Sequence, residues 1–250
     1  MSIPKVIHYC WFGGNPLTPL AERCIASWKK YCPDYEIVCW DESNFDVTQN
    51  IYVKEAYENK KWAFVSDYAR VFILYHYGGV YLDADAEVIK PIDSILINET
   101  AVTGYSNEFW IPAALIAAEK HNEWIGALLH YYDDKHFIQS DGSFDQTTNT
   151  IIITNISTRF FGFKPGDNYI KAGNVRLFPY VYFTPYKYNP ILKNGTPKFK
   201  IDKHYTYVVH HFAGSWDDHQ NWDLKKSLKA IARRVLPVEI YTKLQHIKYR

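Results

Sequence analysis

A strand, a helix and a second strand follow one another inside the first 40 residues, and that order constrains the fold more than any other feature of the chain. Ile3 to Trp11 reads as a strand closed by the turn Phe12-Gly13-Gly14-Asn15-Pro16. Leu17 to Tyr31 reads as an amphipathic helix with Leu20, Cys24, Ile25, Ala26 and Trp28 on its inner side. Tyr35 to Trp40 is the second strand. Strands joined through a helix pair in parallel, so a parallel sheet flanked by helices is expected.

The next strong signal is Trp62 to Tyr77, a helix stopped by Gly78-Gly79. Val80-Tyr-Leu82 follows as a buried strand that runs into Asp83-Ala-Asp85-Ala-Glu87. Helices are expected near 112–133 and 145–160, and strands near 101–105, 175–178 and 205–211. The Pro- and Tyr-rich stretch 178–204 reads as a loop that covers something.

Composition narrows the function classes. Hydrophobic residues make up 47% and charged residues 22% of 250, which is globular material and not a disordered or fibrous chain. With 28 basic and 27 acidic residues the net charge is +1, so no bulk field for nucleic acid exists and none is expected as a partner. Aromatics reach 17%, a weak pointer to ligands with faces to stack on, such as bases or sugars. Cys10, Cys24, Cys32 and Cys39 lack zinc-ligand spacing and read as reduced, packed thiols. No signal-like leader is visible, and the apolar run Ile111–Ala118 is far short of a membrane span. The expected location is the cytoplasm.

Charge is unevenly spread. From Lys225 to Arg250 eight Lys/Arg face only Glu239, whereas the rest of the chain is net acidic. Leu224, Leu228, Ile231 and Val235 share one helical stripe between the basic residues. Such a helix either lies on an anionic membrane surface, peripheral to the inner face of the cell membrane, or packs its stripe on the preceding domain. The expected division is a catalytic domain over 1–223 and a basic amphipathic tail over 224–250.

Asp83 and Asp85 are the leading candidates for chemistry. Two carboxylates two apart at the end of a buried strand point the same way if the strand persists, and oxygen ligands at that edge suit Mg²⁺ or Mn²⁺. Asp67 and Arg70 stand at i, i+3 on the preceding helix and leave it on one face. A carboxylate there accepts hydroxyl hydrogens, and a guanidinium holds a hydroxyl or neutralises phosphate charge.

The segment Ser66-Asp-Tyr-Ala-Arg-Val-Phe-Ile-Leu-Tyr-His-Tyr-Gly-Gly-Val-Tyr-Leu-Asp-Ala-Asp85 resembles the signature of family 32 glycosyltransferases. These include bacterial capsule and lipopolysaccharide sugar transferases and the yeast initiating α-1,6-mannosyltransferases, and the sugar-transferring domains of large clostridial toxins carry a similar segment. Ile3-Pro-Lys-Val-Ile-His-Tyr-Cys-Trp-Phe-Gly-Gly14 is similar to the family's first strand, and Val209-His-His-Phe-Ala-Gly-Ser-Trp216 to its C-terminal element. The resemblance implies a GT-A fold, a Rossmann-like mixed sheet flanked by helices. It also implies a metal-dependent, retaining transfer of a hexose from a nucleotide-sugar to a glycan or lipid-linked acceptor in surface polysaccharide synthesis.

Carried over residue by residue, the resemblance places Trp11 and Cys10 at the base and Asp67 and Arg70 at the donor sugar as the catalytic pair. Tyr81 falls at the nucleotide, Asp83 at ribose and metal, and Asp85 on the metal. Ser215 and Trp216 close over the diphosphate. The histidine at the metal stays open between two alignments: Tyr-x-Val-His favours His210 and His-Phe-x-Gly favours His211. The Trp11 and Tyr81 pattern is closer to members that use UDP-sugars. The sequence departs from the family on the acceptor side, where Pro112-Ala113 replace an Asn and Thr147-Thr-Asn-Thr150 replaces a Thr-Gly-Pro-like segment. Two competing readings use the same residues: a metal-dependent nucleotide-sugar hydrolase or phosphohydrolase, and a non-catalytic carbohydrate-binding protein.

Overall fold

The computed structural model describes residues 2–106, 110–164, 170–187, 198–199 and 201–213. The tail with its apolar stripe, and Ser215 and Trp216, lie outside the described residues.

Chain order begins with strand β1 (Val6–Cys10), helix α1 (Pro19–Tyr31) and strand β2 (Glu36–Trp40), the expected unit with tighter bounds. Thr18 starts α1 by accepting the Ala21 N–H on its hydroxyl, with Pro19 supplying the fixed φ of a first helical position. The helix buries Ala21, Cys24, Ile25, Ser27 and Trp28; Ala26, expected inside, faces solvent. Helices α2 (Ile51–Glu58) and α3 (Trp62–Tyr77) follow, then β3 (Gly79–Leu82) and β4 (Ala86–Val88).

Gly78 and Gly79 end α3 because no other residue fits there. Their φ values are +68° and +100°, and a Cβ on Gly79 meets the Val6 carbonyl at 2.8 Å and His8 Nε2 at 2.9 Å. The sharp stop sends the chain straight from α3 into β3, beside β1.

The remaining elements are α4 (Asp93–Leu96), β5 (Ala101–Gly104), β6 (Leu115–Ala118), α5 (Glu123–His130), α6 (Asn149–Phe160), β7 (Ile170–Ala172), β8 (Val175–Phe178), β9 (Tyr186–Lys187), β10 (Lys198–Phe199) and β11 (Val208–His210). The expectation of one helix over 112–133 is corrected: Leu115–Ala118 is a strand with all four residues buried, and the helix starts only at Glu123. A strand covered on both faces shows no alternation, so an apolar run of this kind imitates a buried helix.

Seven strands form one sheet in the order β2-β1-β3-β6-β5-β8-β7. β1 pairs in parallel with both β2 and β3, β6 runs antiparallel to β3 and β5, and β5 is parallel to β8. The sheet is therefore mixed and helix-flanked, the α/β architecture expected. β11 pairs antiparallel with β4 to make a separate ribbon. All four cysteines are unpaired thiols, three of them buried. No helix among the described residues is long and apolar enough to cross a membrane.

Candidate active site

From β1 the chain moves outward to β2 on one side, while β3 pairs on the other. Strand order therefore reverses at β1, and the crevice beyond the carboxyl ends of β1 and β3 is where an open α/β sheet takes a ligand. Cys10 and Trp11 end the first strand there, and Asp83 follows the second.

Strand β3 stops at Leu82, and Asp83 to Asp85 form a turn whose Asp83 carbonyl accepts the Ala86 N–H at 2.8 Å. The two carboxylates thus do not share a face through a persisting strand, as the spacing had suggested. They converge because the ribbon brings His210 between them. Its Nε2 lies 3.1 Å from Asp85 Oδ1 and 3.7 Å from Asp83 Oδ2. One ligand atom from each of Asp83, Asp85 and His210 falls within 4.8 Å of the others.

The ribbon also separates the two histidines. Neighbouring residues on a strand point to opposite faces. His210 faces the carboxylates, whereas His211 Nε2 meets Glu87 Oε2 at 2.8 Å and Arg23 Nη2 at 3.3 Å. Of the two histidines the alignments leave open, the structure brings His210 to the carboxylates, and the His211 ring belongs to a separate Arg23–Glu87 cluster.

Helix α3 completes the site from below. Arg70 Nη2 bridges Asp67 Oδ1 at 3.2 Å and Asp83 Oδ1 at 3.3 Å, and Arg70 Nε–H donates to the Ser66 carbonyl at 3.2 Å. The guanidinium also lies over the Tyr81 ring, 4.9 Å from its centroid. Tyr81 in turn faces Asp83 and the Cys10 thiol. Sequence separations of 3 and 13 residues thus become one connected chain of charges.

These side chains are only 8–22% exposed, and burial sets their electrostatics. Burial raises Asp67 to about 6, with the Arg70 charge opposing and Asp83 assisting. It also raises Asp83 despite Arg70 and His210. Burial pushes Asp85 up as well, but the His210 charge, its hydrogen bond and the Ala213 N–H at 2.8 Å outweigh that push and hold this carboxyl below its usual range. His210 is raised because Asp85 and Asp83 overcome the burial that would lower it.

Two carboxylates and an imidazole are a donor set that suits a divalent ion taking oxygen and nitrogen ligands, so the residues present fit the expected metal.

Residues 19–102 match the family described as "Glycosyltransferase sugar-binding region containing DXD motif". This segment is a DXD glycosyltransferase region. It contains Asp67, Arg70, Tyr81, Asp83 and Asp85, while His210 joins from more than a hundred residues further on. The chain is 30% identical over 126 residues to inositol phosphoceramide mannosyltransferase 1 of Schizosaccharomyces pombe, covering 44% of this chain and 38% of that protein. It is 30% identical over 154 residues to a mannosyl phosphorylinositol ceramide synthase of Saccharomyces cerevisiae, covering 54% and 37%. The chain thus matches well under half the length of these curated relatives. Among solved structures, "PaToxG Glycosyltransferase" aligns at 18% identity with a TM-score of 0.48 over 63% of this chain and 70% of that one.

Other expected residues lie near the glycosyltransferase region without joining its charge chain. Cys10 is buried at the end of β1, and burial pushes its thiol up to about 12. Trp11 is half-buried and donates its indole N–H to the Asn15 carbonyl at 2.7 Å. One residue went unassigned in the sequence: Asn149, whose backbone N–H reaches Asp67 Oδ2 at 3.3 Å. Its only sequence signal was the departure of Thr147–Thr150 from the family pattern.

Proposed function

We propose that the protein is a retaining, metal-dependent hexosyltransferase that moves a sugar from a nucleotide-sugar, UDP-linked in the first instance, to a glycan or lipid-linked acceptor. The observation that carries this reading is the Asp83–Asp85–His210 triad joined through Arg70 to Asp67. Asp83, Asp85 and His210 would hold Mn²⁺ or Mg²⁺, which neutralises the diphosphate that leaves.

The chain's own residues supply the rest. Asp67 accepts hydrogen bonds from donor-sugar hydroxyls, and Arg70 keeps that carboxylate and Asp83 in register. Tyr81 lies at the nucleotide end, its buried ring backing Arg70. No carboxylate is needed as a nucleophile if the acceptor hydroxyl attacks on the face the diphosphate leaves, giving up its proton to the departing phosphate oxygen. The anomeric configuration is then retained.

The relatives' names describe mannosyl transfer to inositol phosphoceramides, which supports an acceptor with a lipid portion. Surface polysaccharide synthesis on a lipid carrier, with the basic tail at the inner membrane face, meets the same description. A panel of UDP- and GDP-sugars incubated with the protein and Mn²⁺ tests the reading. Release of one nucleoside diphosphate, dependent on the ion and accelerated by acceptor, is expected. Release unaffected by any acceptor favours a hydrolase, and glycan binding without metal-dependent nucleotide binding favours a carbohydrate-binding protein.

A further inference from the structure

We propose that Asn149 is a positioning residue for the donor-sugar end of the site, acting through Asp67. The inference rests on the reading that Asp67 contacts the sugar. Asn149 opens α6 and is 4% exposed. Its backbone N–H donates to Asp67 Oδ2 at 3.3 Å, and its side-chain amide N–H₂ donates to the Asp67 carbonyl at 2.9 Å and to the Tyr132 hydroxyl at 3.3 Å. One residue of α6 thus grips both the backbone and the carboxylate of one residue of α3. The other Asp67 oxygen takes Arg70, and Arg70 reaches Asp83, so a shift of Asn149 is passed along the whole charge chain.

The side chain is not there to start its own helix. The cap position of α6 is Thr148, and Asn149 is the first residue inside the helix. Here Oδ1 is buried and has no hydrogen-bond partner. Reversing the amide would set that oxygen against the Asp67 carbonyl, so the orientation follows from the contacts. A buried, unpaired carbonyl is unfavourable, and an apolar side chain would avoid it. What the position requires is therefore the N–H₂ group, and its strongest contact is Asp67. The N-terminus of a twelve-residue helix adds a field that favours the carboxylate form of its neighbour.

Calorimetric titration of the full chain in Mn²⁺ tests this, with UDP, GDP and their glucose and mannose conjugates as probes. The quantity read is the ratio of Kd for the free nucleotide to Kd for the matching nucleotide-sugar. Asn149→Ala should leave nucleotide affinity within about twofold and weaken nucleotide-sugar binding about tenfold. Asn149→Asp keeps the size and the backbone N–H on Asp67 Oδ2 but replaces the side-chain donors with an acceptor facing the Asp67 carbonyl, and should weaken nucleotide-sugar binding at least as much. Thr154→Val is the control: Thr154 is buried on the same helix, accepts the Ile111 N–H at 3.1 Å, and makes no contact with Asp67. It should lower Tm and leave the ratio unchanged. The inference is overturned if both Asn149 variants keep the wild-type ratio, or if Thr154→Val loses it equally. A wild-type protein that binds no nucleotide or nucleotide-sugar overturns the sugar-transfer reading itself, and the inference with it.

Discussion

Acidification should destabilise the protein through His8 by an amount that the structure sets. His8 is 3% exposed in β1, between β2 and β3. Its Nε2 lies 3.0 Å from the Gly78 carbonyl, and the Trp40 indole N–H points at Nδ1 from 3.1 Å. Nε2 must therefore carry the proton and Nδ1 must accept, which fixes the neutral ring. A second proton would face the indole N–H head-on. Burial lowers the ring's pKa from 6.5 to about 4, with the Gly78 carbonyl opposing. The unfolded chain takes up a proton below pH 6.5 and the folded chain does not, so stability is fully present above that value and is lost as pH falls toward 4. Between pH 7.5 and 5 the loss is about 2 kcal/mol, and fully acidic conditions take it to about 3.4 kcal/mol. Urea unfolding followed by Trp fluorescence at pH 7.5 and 5 measures it, with His8→Asn as the comparison because other groups titrate in the same window. The variant should be less stable at pH 7.5 but lose about 2 kcal/mol less on acidification. Equal losses in both proteins would refute the reasoning.

Asp85→Ala removes one of the three ligand groups, so Mn²⁺-dependent donor turnover should fall at least about a hundredfold while the circular dichroism spectrum is retained; wild-type turnover in that variant, or full wild-type activity in excess EDTA, contradicts the site. Gly79→Ala should lose about 2–3 kcal/mol in urea unfolding, because φ of +100° and the Val6 carbonyl at 2.8 Å leave no room for a Cβ; an unchanged midpoint would show that the α3–β3 junction relaxes freely. For the tail we propose membrane docking: the full chain should pellet with anionic vesicles at low salt and release at high salt, and a chain ending at Asp223 should stay in solution and still hydrolyse donor. Equal pelleting of the two refutes it.

How much of this was legible in the sequence depends on the range of the cause. Helix α3 and its stop were readable because sixteen residues of apolar pattern end at two glycines whose backbone only glycine adopts. The parallel β1–α1–β2 unit was readable for the same reason, since each of its elements declares itself locally. Leu115–Ala118 was not, because a strand buried on both faces has no period to detect. Asp67, Arg70, Asp83 and Asp85 were found through one contiguous motif, but their convergence was expected for the wrong reason. The turn after Leu82 breaks the strand, and a histidine 125 residues beyond Asp85 draws the carboxylates together. Choosing His210 over His211 needed the pairing of β11 with the three-residue β4, an element no local pattern announces. Asn149 was invisible as a contact because its partner lies 82 residues earlier on another helix.

The charges at the crevice explain why these distant pieces belong together. Asp67, Asp83 and Asp85 bring three carboxylates into a site whose side chains are at most 22% exposed, and Arg70 supplies one fixed positive charge. Burying a carboxylate without a partner costs several kcal/mol, so the two that Arg70 touches are tolerated through the single guanidinium between them. Three carboxylates against one guanidinium leave the cluster net negative, and Asp83 and Asp85 are the two beside His210. The field that raises the pKa of His210 comes from Asp85 and Asp83, and the same field draws any cation toward that point. A divalent ion held by a neutral imidazole would offset more of that charge than a single proton on His210 does. The arrangement therefore favours a cation at the carboxyl end of β3, and Arg70 and Asn149 hold Asp67 beside that point.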